Sequence, residues 1–439
     1  MLQAVLNAFK IPDLRRKILF TLGMLIIFRF IASIPLPGVN GAALRDYVNN
    51  NQLLGMLNLF SGSGLQHFSV VALGVYPYIT ASIIMQLLTP VIPKLNDMSN
   101  EGQQGRNQIN QITHWLTVPL ALLQGYGQAL LFSRTQAPSG GTTLLTNFGL
   151  FDRQTLIPSI ALLFALTAGT MLLVWIGELI TENGVGNGVS IIILGGIVAS
   201  LPAALAGLFN GSGSSGNVMG LVLFAVIGLI TIVGIVLINE GTRRIPVHYA
   251  KRVRAGKTYG GSTTFIPLKV NSSGMIPLIF AVSIMVFPGM IAQFLATSSV
   301  PWLRDFAAVL AQAMSPNTFQ YNVVYFLMVI GFTYFYTMVI FQQQKIPETL
   351  QRQGAFIPGV RPGKNTAVYL TKVLTRITLV GAVFLGVLAI MPYFVAQLTG
   401  INTLLLSATS LLIVVGVAID TMRQLEAQLM MRNYEGFIR

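Results

Sequence analysis

Residues 58–88 read NLFSGSGLQHFSVVALGVYPYITASIIMQLL, a stretch that begins as an apolar helix, breaks within a few residues and resumes as one. Ser61, Gly62, Ser63 and Gly64 make the break, since each glycine costs a helix interior about 1 kcal/mol relative to alanine. The flanks remain strongly apolar. Non-helical backbone at membrane depth leaves N–H and C=O groups unpaired, which is tolerated only where protein covers it or where it lines a water-filled cavity. The break therefore predicts a chain built around an aqueous path.

The composition supplies the membrane. Of 439 residues, 53% are hydrophobic and 9% charged, with mean hydropathy +0.70, against roughly 25% charged in ordinary soluble domains. The absence of cysteine excludes disulfides and thiolate metal sites. The net charge of +14 is expected in cytoplasmic loops rather than on a nucleic-acid-binding face.

Apolar segments long enough to cross about 30 Å of hydrocarbon as helix fall near 18–34, 70–92, 112–132, 156–180, 185–209, 218–239, 274–295, 321–341, 377–398 and 404–425. Arg15, Arg16 and Lys17 before the first give it the look of a signal peptide, but nine further spans and no small-residue cleavage site predict a retained helix. With both termini cytoplasmic, 22 of the 27 Lys and Arg lie inside, Arg45, Arg134, Arg153 and Arg304 lie outside, and Arg29 falls within span one. That bias fixes the orientation by the positive-inside rule.

Two inner loops are long. Residues 240–273 alternate Thr, Tyr and Val around Gly256, Gly260 and Gly261 and predict a β-hairpin; residues 342–375 carry two Gly/Pro breaks. The run NGSGSSGN at 210–217 reads as a flexible linker, native or an engineered replacement. Ten spans allow two halves, 1–210 and 211–439; five being odd, the second half would be inverted relative to the first.

Enzymatic chemistry finds little support. His67, His114 and His248 lie far apart without metal-ligand spacing, and AGKT at 255–258 lacks a phosphate loop's first glycine and its strand–loop–helix context. No catalytic residue, metal site or cofactor is expected. Ion-coupled transport needs ionisable groups deep in the spans, whereas Glu178, Glu240 and Asp420 fall near span ends, and Arg29 either snorkels outward or pairs with a carboxylate. The deep polar groups are neutral: Thr80, Ser82, Gln86, Gln124 and Gln128. They either bond neighbouring helices or form a polar seam that opens toward lipid. Val75, Ile79 and Ile83 share one helix face, either as ordinary core or lipid-facing stripe, or as a constriction that gates by dewetting.

Seven segments carry a family resemblance: NLFSGSG with LGVYPYITASIIMQLL, ITENGVGNGVSIIILGGIVA, RRIPVHYAKR with PLKVNSSGMIP, GAFIPGVRPGKNT, and SLLIVVGVAIDTMRQLEAQLMMRNYEG, all in family order. On them the chain resembles the SecY family, pore-forming subunits of the bacterial protein-conducting channel. The resemblance implies an all-α membrane protein of ten transmembrane helices, in two pseudo-symmetric inverted halves around a central pore with a short plug helix. It implies a plug over 60–72 that starts at Phe60, Ser61, Gly62, Ser63 and Gly64. It implies a constriction of Val75, Ile79, Val185, Val189, Ile276 and Ile413, three of them valine where more isoleucine is expected, which predicts a slightly wider seal. A lateral gate between spans two and three and spans seven and eight would place Thr80 and Gln124 at its polar edge.

Arg243, Arg244, Lys251, Arg252 and Arg361 would dock the SecA ATPase and the ribosome, or else only enforce topology and touch anionic lipids. Implied partners are the small membrane subunits SecE and SecG, SecA, the ribosome, and unfolded preproteins with their signal sequences. The expected site is the cytoplasmic membrane of a bacterium. The expected function is passage of unfolded polypeptides across it and lateral release of transmembrane helices; a secondary transporter of small solutes and a pore-less assembly scaffold are the competing classes.

Overall fold

Ten helices carry the expected spans in the computed structural model, which describes residues 11–50, 54–55, 57–58, 61–135, 143–145, 148–149, 153–213, 218–249, 252–254, 257–259, 263–296, 300–316, 318–399 and 408–435. The amino-terminal half holds α1 (Pro12–Ala32), a short outer helix α2 (Gly41–Asn50), α3 (Tyr76–Leu88), α4 (Pro93–Asn100), α5 (Gln103–Arg134), α6 (Arg153–Asn183) and α7 (Gly188–Gly213). The carboxyl-terminal half holds α8 (Val218–Glu240), α9 (Ile276–Ala296), α10 (Pro301–Ala313), α11 (Phe319–Gln344), α12 (Ile346–Arg352), α13 (Lys364–Thr399) and α14 (Ala408–Glu435). Proline opens α1, α3, α4, α10 and α12 within their first two positions, where its missing N–H has no intrahelical partner to lose. Pro119, Pro158, Pro202, Pro288 and Pro392 lie inside long apolar helices, as membrane helices permit where neighbours satisfy the freed carbonyls.

Span two departs most from the expected 70–92. Its helix α3 has 13 residues, about 20 Å of rise, and after a break the chain turns through 99° into α4. Residues 61–75 run as consecutive turns where a short helix is expected. The cause is local: Gly62, Ser63, Phe68 and Gly74 all have positive φ, at 62°, 68°, 42° and 59°, which no right-handed helix accommodates.

Within the amino-terminal half α3 packs on α5, α5 on α6, α6 on α7, and α1 lies against α6 and α7. In the other half α9 packs on α11, α11 on α13, and α13 on α8 and α14. The halves meet along two seams, α3 and α5 against α9 on one side and α7 against α8 and α14 on the other. One apolar cluster runs through both halves, from Phe28 and Val75 to Ile279 and Ile413. The outward faces are apolar too, as with Leu229 and Leu237 on α8, the signature of lipid contact rather than of a soluble surface.

The predicted hairpin forms. Strand β1 (Thr242–Tyr249) pairs antiparallel with β4 (Thr263–Lys269), and β2 (Arg252–Arg254) with β3 (Lys257–Tyr259). Ile245 and Val247 point inward while Arg244 and Pro246 face out, the period of two that a half-buried strand imposes. A short strand from the other long loop, β5 (Ala355–Phe356), joins the free edge of β1. Ile245, Val247 and Leu268 then pack on Phe341, Leu350 and Leu370. The two basic loops are thus one body.

Candidate functional site

The broken stretch is seated against the amino-terminal half. Phe60 lies outside the described residues; Ser61 and Ser63 are buried. Asn58 and Ser61 replace the lost helical bonds: Asn58 Oδ1 accepts from the Gln66 amide at 3.1 Å and Ser61 Oγ from the Leu65 amide at 3.0 Å. The Leu36 amide donates to Phe68 O at 3.0 Å, and Phe68 meets the Phe132 ring edge-on at 5.4 Å. Glycine is required where the segment meets its walls. A methyl on Gly62 would strike the Phe28 ring, one on Gly196 the Gly62 backbone, and one on Gly169 the Val70 carbonyl. Arg29 is exposed, and among the described residues its Nη1 donates to the Gly62 carbonyl at 2.9 Å rather than to a carboxylate. A helix break frees carbonyls, and this one takes the cation.

Of the six expected constriction residues, Val75, Ile79 and Ile413 are buried in the central cluster, and half-buried Val189 and Ile276 pack against it. Val75 and Ile79 keep true helical register, the Ile79 amide donating to Val75 O at 3.0 Å. Val185 does not belong with them. It sits in a separate cluster with Leu14 and Leu425, its amide donating to Thr21 Oγ1 at 3.2 Å. The physical reason is that α7 starts only at Gly188, so residues 184–187 are not helical and the spacing from 185 to 189 does not put both side chains on one face. Counting forward from Val189 instead reaches Ile193, which is buried in the central cluster.

Thr80 and Gln124 come together. Gln124 Nε2 lies 3.5 Å from Thr80 Oγ1, which itself donates to Tyr76 O at 3.0 Å. The bond that crosses the seam was not foreseen: Tyr76 Oη donates to the Ser283 carbonyl on α9 at 2.9 Å. Around it Gln124 Oε1, Gln128 Oε1 and Ser283 Oγ are buried with no hydrogen-bond partner among the described residues. A seam holding unsatisfied polar groups is held less firmly than an apolar one. Nearby, His114 Nε2 on α5 lies 3.0 Å from a Glu178 carboxylate oxygen on α6, with the Tyr78 ring 5.7 Å from the imidazole.

Toward the loops, a cavity of about 270 Å³ opens beneath Ile276 and Leu412, with Asn187 from one half and Asn271, Asp420 and Arg423 from the other on its wall. Arg423 pairs with Glu240 at 2.9 Å and reaches Asn239 O at 3.2 Å, while Asn271 Nδ2 donates to Asn239 Oδ1 at 2.9 Å. Arg243, Arg244 and Arg361 are exposed on the joined loops. Arg252 is on β2; Lys251 lies outside the described residues.

The chain is similar to known proteins over most or all of its length. Residues 69–422 match the SecY family. The protein translocase subunit SecY of Corynebacterium glutamicum is 42% identical and that of Streptomyces scabiei 41% identical, each aligned over 100% of both chains. A solved protein-conducting channel superposes with TM-score 0.58 at 16% identity, covering 96% of each chain. A SecY structure whose plug domain is described as stabilising the closed state gives 0.60 at 16% identity and the same coverage. A channel in a canine ribosome complex from the endoplasmic reticulum gives 0.55 at 15% identity, again covering 96% of each chain.

Proposed function

The chain belongs to the SecY family, and from that premise we propose how its own residues conduct protein. It is the central subunit of a protein-conducting channel and not an enzyme. The observation that carries the mechanism is that aliphatic side chains from both halves, Val75 and Ile79 from one and Ile413 from the other, belong to one buried cluster that also takes in the broken stretch. We assign the resting seal to Val75, Ile79, Val189, Ile276 and Ile413, with Ile193 added and Val185 left out. A ring of this kind excludes ions because wetting it is unfavourable, and it offers an unfolded chain no specific hydrogen bond to stick to. Residues 61–72 cover the ring from outside as the plug.

The seam of α3 and α5 against α9 is the side exit. The Tyr76–Ser283 bond holds it shut, with Thr80 and Gln124 on its amino-terminal edge, and an apolar signal segment or transmembrane helix parts it because lipid and protein compete for that segment on transfer free energy. The opposite seam at α7 and α8 is the hinge. Positive charge on the loops puts them and both termini in the cytoplasm, with Arg243, Arg244, Arg252 and Arg361 available to phosphate-rich ribosomal RNA and to SecA. SecE and SecG cover part of the lipid-facing surface.

The test is transport by the channel reconstituted with its partner subunits in vesicles. A preprotein enters only when SecA and ATP are supplied. Uptake of a small solute driven by an ion gradient, without either, would overturn the reading in favour of a secondary transporter.

A further inference from the structure

Two arginines outside the seal reach the segment read as the plug, and they do so from different framework helices. Arg29, in the last turn of α1, donates from Nη1 to the Gly62 carbonyl at 2.9 Å. Arg45, on α2, brings Nη2 to 2.9 Å from His67 Nδ1 and 3.5 Å from Nε2. We propose that Arg29, Arg45 and His67 are a latch that holds the plug in its seat and lets go when His67 takes up a proton. The proposal rests on residues 61–72 being the plug.

Arg45 Nη2 lies 2.9 Å from Nδ1 and 3.5 Å from Nε2 of the same ring, which sets it over the imidazole face rather than along either in-plane lone pair. A guanidinium carries only donors and a fixed positive charge, and the face of a neutral imidazole accommodates it. Protonation of His67 sets a second cation against the guanidinium. Like charges at such separations repel, and more strongly near protein than in bulk water.

Among the described side chains the charged groups acting on His67 are Arg45 and Arg29, and both are positive. Burial, then Arg45, then Arg29 hold the imidazole below its ordinary value of 6.5. The sign follows from linkage: a base whose pKa is depressed in the seated state gives its full contribution to seating above about pH 6.5 and loses it as the pH falls through the depressed value. Acid on the outer side therefore favours release. Arg29 works differently: its Nη1 holds the Gly62 carbonyl at 2.9 Å and fixes that turn against Phe28, and its removal loosens the plug at every pH.

These residues position the seal and do not touch the passing chain, so the test needs a readout that simple misfolding would not move. The chain has no cysteine, and a Gln66→Cys variant carries one nitroxide label on the plug. In the assembled channel in vesicles, the ratio of mobile to immobile label is expected to rise severalfold between about pH 8 and about pH 5. His67→Gln, which stays neutral, flattens that profile. Arg29→Gln raises mobility at both ends of the range, and Arg29→Lys restores part of the immobile fraction. A flat profile with His67 in place, or an unchanged profile in His67→Gln, overturns the latch. A channel deleted for residues 61–70 separates this from the reading beneath it. Unchanged resting conductance there overturns the plug and the latch together, whereas raised conductance with a flat label profile overturns the latch alone.

Discussion

The Tyr76 hydroxyl, on the first turn of α3, donates to the Ser283 main-chain carbonyl on α9 at 2.9 Å, joining residues 207 positions apart across the seam between the halves. Both residues are buried. Beside it Gln124, Gln128 and Ser283 have buried side-chain atoms with no partner among the described residues. If this seam is the side exit proposed above, one good polar contact holds it in a region of several unsatisfied ones.

Tyr76→Phe removes that bond and nothing else of similar size. Interhelical hydrogen bonds in membranes contribute about 0.6 kcal/mol on average and about 1.7 kcal/mol at most, so the closed-to-open ratio is expected to fall about three- to twentyfold. The measurement is transport of a preprotein with a weakened signal sequence, which should increase. Transport at the parent level would mean that the bond does not hold the gate.

Asparagine in place of Ile79 or Ile413 puts a hydrogen-bonding side chain into the buried apolar cluster that runs through both halves. Water then wets the constriction more readily, and resting ion conductance in planar bilayers is expected to rise. Val185→Asn is the internal control, because Val185 packs with Leu14 and Leu425 away from the central cluster. A leak from Val185→Asn equal to that from Ile79→Asn would count against this placement of the ring.

That control marks how far the sequence could be read. Ten apolar runs, the broken second span and the hairpin around Gly256 are visible because hydrophobic period and glycine placement act locally. The Val75–Ile79 pair is visible because both residues share an uninterrupted helical register. Val185 misleads because GVGN at 184–187 delays the start of α7 to Gly188, and a helix start lying inside a glycine-rich run leaves no apolar signature. The Arg29–Gly62, Tyr76–Ser283 and β1–β5 contacts join residues 33, 207 and about a hundred positions apart. No local pattern announces them, since each is decided by how elements dock.

Gly196→Ala tests the seat of the plug from the wall side. Its new methyl would meet the Gly62 backbone, which has no flexible side chain to move aside, and overpacking of this kind costs about 1–3 kcal/mol. The plug, held by turns rather than by regular helix, is the part expected to give way, and resting conductance should rise while the channel remains assembled. Gly228→Ala, at a position with open space around it, should leave conductance unchanged. A tight channel in Gly196→Ala would show that the plug does not press on α7.

Arg361→Glu and Arg244→Glu reverse exposed charges on the two basic loops, and each should weaken ribosome binding. The slope of log affinity against log salt should become shallower by about 0.7–0.9 for each phosphate no longer neutralised. Independent loops would respond additively. Here β5 pairs with β1, and Ile245 packs with Leu350 and Leu370 in one small core. Ile245→Ala should therefore destabilise the joined body by about 2–5 kcal/mol and disturb the presentation of Arg361, although Ile245 is on the other loop. The decisive measurement is the double variant: once Ile245→Ala is present, Arg361→Glu should cost less binding of ribosomes and of SecA than it does alone. Full additivity would mean that the loops act as two separate docking arms, and that the strand pairing between them has no part in partner recognition.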